Sequence, residues 1–259
     1  MHHKNLTEIG EILLFIWYNK GMRTIPREAR RITYSTEIRN LKKVPFTQEQ
    51  REVALGSVLG DGHLEANWSK TNYLLKISHS VQQSEYVRWK YEIFRNFVLT
   101  EPKVHRTTNS LRFATISHSE FTGFRNIFYR DKKKIIPENL VAMLTPLAIA
   151  VWFMDDGNAV KSKGSIKGYH INSQSFTFLE NVELARILER TYGIHVNLER
   201  NHEYYRLAIW QRPSREKFID LVWPFMLDSM KYKIFGWICD SLGPVETWSR
   251  HRRDRIEVF

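Results

Sequence analysis

The stretch Thr145-Pro146-Leu147-Ala148-Ile149-Ala150-Val151-Trp152-Phe153-Met154-Asp155-Asp156-Gly157 predicts a buried helix that ends in carboxylates. Thr145 is a suitable N-cap, and Pro146 at the first helical position loses only an N–H that would lack a partner anyway. All residues from Leu147 to Met154 are apolar, so the helix is expected to be buried on nearly every side. Gly157 is expected to end it in the left-handed conformation. Acids at a helix C-terminus lie against the negative end of its dipole, so stability does not favour them and a functional role is indicated.

A second helix of this kind lies upstream, and it also ends in Asp-Gly. Thr47 and Gln50 form a capping-box pattern that opens it, and Asp61-Gly62 closes it. Asp61 lies 95 positions before Asp156, and the same shift places His79-Ser80 on Gln174-Ser175. A period near 95 residues is too long for a solenoid unit. It predicts two small domains related by a pseudo-two-fold axis.

These two segments resemble the nine-residue motif of the single-chain LAGLIDADG homing endonucleases, in the intron-encoded branch of that family. Ala54–Gly62 and Ile149–Gly157 each stand where such a motif would, and both keep its final Asp-Gly. Two motifs at one internal period are far more specific than either alone. The departures from the motif replace its earlier acid and its second alanine, and they are Leu59, Met154, Gly60 and Asp155.

The resemblance, which covers roughly residues 46 to 240, implies an α+β fold. It implies two pseudo-symmetric α-β-β-α-β-β-α domains in one chain, each with a saddle-shaped antiparallel sheet, packed through the two motif helices. The predicted boundaries are a basic helical extension over 1–45, a first domain over 46–135, a second over 136–240 and a basic tail over 241–259. A helix over Leu6–Trp17 and an arginine-rich run after it are expected in the extension.

Composition favours an intracellular protein with a polyanionic partner. The 259 residues carry a net charge of +11 and 13% aromatic residues, which suits nucleic acid. The single cysteine, Cys239, excludes an internal disulfide framework and a cysteine-rich zinc site. The N-terminal apolar run is too short to span a bilayer and lacks a signal-peptide cleavage site, so no membrane partner is expected. An organelle matrix or a nucleoid is the expected location, and the sequence does not distinguish these compartments.

Phosphodiester hydrolysis needs an activated water, neutralised phosphate charge and help for the leaving oxygen, which divalent metals supply. Small residues on both motif helices would let Asp61 and Asp156 approach, and Mg²⁺ or Mn²⁺ would relieve their repulsion. Gly60 and Asp155, which precede these acids, are further candidate metal-binding positions.

The family resemblance also assigns two active-site lysines, and two side chains at strand ends are candidates to position water. Lys134 and Lys233 each end a half, where a lysine can stabilise transition-state charge. His79 and Gln174 follow the motifs and are candidates to position water. Each assignment has an alternative. The lysines can simply contact phosphate or be solvated charges, and a lone histidine is often structural.

The resemblance places the open face of each sheet along a DNA major groove. Candidates for that face are Lys76, Arg112, Arg206 and Gln211, because Arg and Gln can pair with guanine and adenine edges. The segment Lys161–Gly168 is expected to be a mobile loop that meets phosphates through Lys161, Lys163 and Lys167, or else a solvated turn.

The function predicted from these features is cleavage of double-stranded DNA at a long asymmetric target by a monomer. Two alternatives stay open on the same scaffold. One is an intron RNA maturase, and the other is a DNA-binding protein without catalysis. The presence of both acids and both lysines favours cleavage.

Overall fold

A computed structural model describes residues 35–131 and 133–235 of the chain. The predicted helix over Leu6–Trp17, the arginine-rich run up to Arg31 and the tail over 241–259 lie outside these residues. One compact unit ends at Leu41, and within it helix α1 (Thr36–Leu41) is described. The second unit begins at Lys42 and contains both motifs.

The two halves of this unit have the same order of elements, α-β-β-α-β-β-α, as predicted. The first half consists of α2 (Gln48–Leu59), β1 (His63–Ala66), β2 (Tyr73–Ser80), α3 (Ser84–Ile93), β3 (Lys103–His105), β4 (Ser110–Ala114) and α4 (Ser119–Phe128). A connection follows, made of β5 (Tyr129–Arg130), β6 (Lys133–Lys134) and α5 (Leu140–Met143). The second half consists of α6 (Pro146–Asp156), β7 (Gly157–Ser162), β8 (Ser165–Ile171), α7 (Phe178–Tyr192), β9 (Asn197–Asn201), β10 (Tyr204–Ile209) and α8 (Arg212–Val222), before a last short helix α9 (Tyr232–Phe235).

Each half has a four-stranded antiparallel sheet, and the two sheets have equivalent strand orders. The orders are β1-β2-β4-β3 and β7-β8-β10-β9. In β2, Leu75 and Ile77 are buried while Lys76 and Ser78 are exposed. This two-residue alternation gives the sheet one face toward the helices and one toward solvent.

Helices α2 and α6 begin where their capping residues predict and pack against each other. Thr47 and Gln50 form both hydrogen bonds of a capping box, and the Thr145 hydroxyl accepts from the Ala148 N–H. All residues of α6 from Leu147 to Asp155 are buried, in agreement with its apolar sequence. A Cβ on Gly56 would lie 2.5 Å from the carbonyl oxygen of Ala148, so glycine is needed for this close helix contact.

One local prediction is wrong. Gly157 is extended (φ −89°, ψ 158°) rather than left-handed. Its lack of a side chain serves packing instead, because a Cβ there would lie 2.0 Å from the ring of Phe153. The segment Lys161–Gly168 is a β-hairpin of β7 and β8, whose turn residues Lys163 and Gly164 have φ of 49° and 75°.

None of the helices in the described ranges has the length and apolarity needed to cross a bilayer.

Candidate active site

The C-terminal ends of α2 and α6 bring the motif acids into one cluster. The charge of Asp61 acts on Asp156, and the amide N–H of Asp61 donates to Oδ2 of Asp155 over 3.2 Å. A Cβ on Gly60 would lie 2.5 Å from Cβ of Asp155, so the two helix ends are in direct contact. Two segments 95 residues apart thus form one site.

A lysine from the end of each half binds the carbonyl group that precedes each motif aspartate. Lys134 donates to the carbonyl oxygen of Gly60 over 3.3 Å, and Lys233 donates to that of Asp155 over 2.5 Å. Burial lowers the pKa of both lysines, while the charges of the motif acids oppose this shift. The ammonium groups also offset the negative end of each helix dipole. The two predicted lysines therefore contact Gly60 and Asp155, the positions that precede the motif aspartates.

The surroundings of the two motif aspartates disfavour their charged forms. Burial, and then the charge of Asp61, raise the pKa of Asp156 to about 7. Burial and the charge of Asp155 raise the pKa of Asp61, whose side chain is still 47% exposed. Lys134 and Lys233 only partly oppose these shifts. A carboxylate pair of this kind attracts a cation.

His79 lies between two of the acids, on strand β2. Its Nδ1 is 3.6 Å from Oδ2 of Asp61, and its Nε2 is 3.6 Å from Oδ1 of Asp155. Burial, together with the charge of Lys90, lowers the pKa of His79 to about 4, so the ring is neutral near pH 7. Within the described ranges its buried Nε2 has no hydrogen-bond partner. A neutral imidazole next to an exposed carboxylate can orient a water.

The side chain of Asp155 is held by two residues that the sequence did not single out. Lys90 donates to both of its carboxylate oxygens, over 2.7 and 3.0 Å, and the Tyr86 hydroxyl donates to Oδ1 over 2.7 Å. The side chains of Lys90 and Asp155 are both 0% exposed. The spacing of four residues between Tyr86 and Lys90 is the sequence signal that could have found them, because it places both on one face of a helix.

Ligand atoms of Asp61, His79 and Asp155 lie within 4.8 Å of one another, a spacing compatible with a metal ion. The chemistry of this group fits a cation poorly, because Lys90 already neutralises Asp155 and its carboxylate has no exposure. Asp61 and Asp156 fit a cation better. The charge of Asp61 raises the pKa of Asp156, and among the described residues no lysine donates a hydrogen bond to either carboxylate. Oxygen ligands of this kind suit Mg²⁺ or Mn²⁺.

Gln174, the predicted counterpart of His79, has different surroundings. It follows the end of β8 by three residues, and its amide group donates to Oδ1 of Asn172 over 3.5 Å. Within residues 35–131 and 133–235, no side-chain hydrogen bond links Gln174 to Asp61 or Asp156. Strand pairing relates β2 and β8 by 94 residues, because His63 pairs with Lys76 and its counterpart Asn158 pairs with His170. Ser173 rather than Gln174 is therefore in register with His79.

The exposed face of the first sheet carries two of the predicted DNA contacts. Arg112 is exposed on β4 and pairs in register with Ser78 on β2. Lys76 is also exposed and forms a salt bridge with Glu65 on β1. Both side chains alternate with buried apolar residues. They therefore point to the side of the sheet opposite its helices.

The second sheet presents its predicted contacts in another way. Arg206 on β10 is half-buried and forms a salt bridge with Glu199, its cross-strand neighbour. Glu199 also lies 3.1 Å from Nε2 of His170. The exposed lysines stand on the β7–β8 hairpin, and they are Lys161, Lys163 and Lys167. The prediction that Gln211 lies on the strand face is wrong, because β10 ends at Ile209 and Gln211 is the N-cap of α8.

Comparisons with known proteins agree with this architecture. The chain is 31% identical over 206 residues to the protein RecA of Mycolicibacterium flavescens, covering 73% of this chain and 47% of the relative, so it spans about half that protein's length. It is 28% identical over 210 residues to the DNA endonuclease I-ChuI of Chlamydomonas applanata, covering 73% of this chain and 95% of that one. It is 25% identical over 214 residues to the cytochrome b mRNA maturase bI2 of Debaryomyces hansenii, covering 77% of this chain and 78% of the maturase.

A solved structure and a protein family complete the comparison. The homing endonuclease I-WcaI bound to its DNA recognition sequence matches with a TM-score of 0.71 at 24% identity, covering 82% of this chain and 95% of that chain. This likeness confirms the fold. The LAGLIDADG DNA endonuclease family matches residues 51–217, a range that includes both helix ends of the site. The chain therefore belongs to the LAGLIDADG DNA endonuclease family.

Proposed function

We propose that this protein is a site-specific endonuclease that cuts both strands of a long, asymmetric double-stranded DNA target. One observation carries the proposal: Asp61 and Asp156, one from each half, share a cluster in which each has a lysine bound to the preceding carbonyl group. Two pseudo-symmetric half-sites suit two scissile phosphates, one on each strand. The endonuclease I-ChuI among the relatives supports the same reading.

Asp61 and Asp156 would hold Mg²⁺ or Mn²⁺, which would supply the activated water and neutralise charge on the phosphate. Lys134 and Lys233 contribute positive charge that can stabilise the pentavalent transition state. His79, neutral and next to Asp61, orients a water on the first side of the site. On the second side we propose this role for Gln174.

The DNA-binding surface consists of the exposed face of the first sheet and the lysine-bearing hairpin of the second. Arg112 and Lys76 on one sheet, with Lys163 and Lys167 on the other, give a basic surface suited to phosphates and base edges. The chain acts as a monomer on this proposal, because one chain supplies both half-sites. The two halves differ in sequence, so the target is asymmetric.

A plasmid library cleaved by the purified protein in Mg²⁺ tests this function. We expect double-strand breaks at one long sequence, no breaks in EDTA, and a rate per protein that is independent of protein concentration. No cleavage of any library member, with specific DNA binding retained, would leave the non-catalytic alternative. The maturase bI2 among the relatives favours one second candidate. A splicing assay on intron RNA, run beside the cleavage assay, tests it.

Salt titration tests the DNA surface separately. The log–log slope of affinity against salt should fall by about 0.9 for each phosphate contact removed, as in Lys163→Gln or Lys167→Gln. Lys217→Gln is the matched control, because Lys217 lies in α8 on the helical side of the sheet, where its ammonium group donates to the Gly193 carbonyl oxygen. An equal change in slope for the control would contradict the assignment of the hairpin.

A further inference from the structure

The side chain of Asp155 belongs to the second motif but is bound almost entirely by the first half. Its carboxylate accepts from Lys90 and Tyr86, both on α3, and from the amide of Asp61 at the end of α2. The neighbouring amides behave differently. Gly60 donates to Gly56 and Gly62 donates to Ser57, both within the first half. Of these three successive amides, only that of Asp61 is held across the boundary between the halves.

This arrangement exists on one side of the site only. Position 60, the counterpart of Asp155, is glycine, and a Cβ there would overlap Asp155 at 2.5 Å. Shifts of 94 and 95 residues carry Lys90 onto Leu184 and Ala185, neither of which is charged, and carry Tyr86 onto Glu180 and Asn181. The amide group of Asn181 is committed to its own half, since it donates to the carbonyl oxygens of Phe176 and Thr177. Among the described residues, nothing equivalent reaches Asp156 from the first half.

A buried ion pair contributes little to stability compared with apolar residues of the same size, because both charges lose their hydration. Its best-established use is to fix one alignment of packed elements, since any other leaves a charge unpaired. Lys90 and Asp155 join α3 of one half to α6 of the other, so they fix that alignment here. The pair contacts the backbone of the site through the Asp61 amide, which donates to the Asp155 carboxylate.

We propose that Asp155 is a positioning residue for Asp61, so that the half-site of Asp61 depends on the Lys90–Tyr86–Asp155 network and the half-site of Asp156 does not. This inference rests on the proposed endonuclease function. It predicts that loosening the network slows nicking of one DNA strand more than nicking of the other. A network that only holds the protein together would slow both strands equally.

Tyr86→Phe is the variant that tests this, because it removes one hydrogen bond to Asp155 and keeps the ring. Tyr192→Phe is its matched control. The Tyr192 hydroxyl donates to the Leu144 carbonyl oxygen over 2.6 Å, from the equivalent helix of the second half. The two strands of a target plasmid are labelled separately and their nicking rates are measured for each variant. The strand that depends on Asp61 is the one whose nicking Asp61→Asn slows more.

We expect Tyr86→Phe to change the ratio of the two nicking rates by about fivefold, because small displacements of a reacting group can cost up to about 100-fold in rate. The affected strand should be that of Asp61, and Tyr192→Phe should leave the ratio unchanged. A ratio in Tyr86→Phe no more altered than in Tyr192→Phe would overturn the proposal while leaving the endonuclease function standing.

Amide hydrogen exchange at Asp61, followed by NMR on protein labelled with ¹⁵N-aspartate, does not depend on cleavage. Faster exchange of this amide in Tyr86→Phe than in Tyr192→Phe, at equal melting temperatures, is the expected result. If the wild-type protein cleaves no target, the proposed function fails and this measurement alone decides whether Asp155 positions Asp61. Equal exchange in both variants would overturn the positioning role.

Discussion

The ends of the two motif helices share a backbone plan and differ in what surrounds their carboxylates. Each has an aspartate, a preceding carbonyl group and a lysine bound to that carbonyl. His79 and the buried Asp155 lie next to Asp61, whereas the side chain of Gln174, which a 95-residue shift pairs with His79, binds Asn172. Groups needed twice thus keep their type in both halves. Within the part of the chain that the structure describes, the network of Lys90, Tyr86 and Asp155 that holds the Asp61 amide has no counterpart at Asp156.

The largest effect on the comparison of the two helix ends is expected from replacing the motif aspartates themselves. Asp61→Asn or Asp156→Asn should each lower Mg²⁺-dependent cleavage at least about 100-fold, since a metal ligand is worth several kcal/mol in the transition state. Binding in EDTA should be unchanged or tighter, because repulsion between carboxylate and phosphate is relieved. Gel assays of nicked and linear plasmid, with binding measured in parallel, check this. Retained cleavage in either variant would remove that aspartate from the metal site.

The two lysines test whether the shared part of the plan is equivalent in function. Lys134→Met and Lys233→Met should each slow cleavage about 10- to 100-fold while changing DNA affinity far less, because their charge acts on the transition state. Single-turnover rates and equilibrium binding separate these effects. Parallel losses of rate and affinity would instead make the lysines phosphate anchors.

Substitutions of Asp155 and of its neighbour Asp156 compare a structural carboxylate with a metal-binding one at the same helix end. Asp155→Asn or Lys90→Met should each lower the free energy of unfolding by about 3–5 kcal/mol, because each leaves an unpaired buried group. Cleavage per folded molecule should fall less in Asp155→Asn than in Asp156→Asn, since register makes Asp156 the partner of Asp61.

The double variant Asp155→Asn/Lys90→Met is the control for that prediction. It should lose much less stability than the sum of the single changes, because no unpaired charge remains. Denaturant unfolding measures all three variants. Additive losses would show that the two side chains do not interact.

The smallest expected effect is on the pH dependence of stability, which tests the raised pKa of Asp156. The pKa of Asp156 rises from 3.8 to about 7 on folding. Its contribution to stability is therefore complete below about pH 4 and is lost as the pH rises through about 7. Asp156→Asn removes this loss, so its melting temperature should exceed that of the wild type by at least about 2 °C at pH 8. Equal shifts at pH 4 and pH 8 would contradict a raised pKa.

The sequence predicted the repeated architecture because its signals are local or recur at a fixed period. The capping residues Thr47 and Thr145, the apolar run of α6 and the Asp-Gly repeat each have a direct physical meaning. Lysines and glycines made Lys161–Gly168 resemble a loop. The correct reading needed the turn chemistry of Lys163-Gly164, where positive φ at both positions gives a tight β-hairpin.

The contacts of Asp155 could not be predicted in the same way. Its partner Lys90 lies 65 residues away, and neither helical nor strand periodicity relates two positions in different halves. A lysine on the buried face of a helix indicates a paired charge, but the sequence does not say which acid pairs with it. Gly60 and Asp155 were both noted as departures from the motif. Only the packed structure shows that the first makes room for the second.

The contact between Gly60 and Asp155 has a consequence for chimeric proteins built from these halves. A dimer of two second halves would bring two aspartates to the place where one fits, with no lysine at the positions that correspond to Lys90. A dimer of two first halves would leave two buried Lys90 side chains without an acid. The halves are therefore complementary rather than interchangeable. Recombining either one with a half from a related enzyme requires residues 60, 90 and 155 to be transferred as a set.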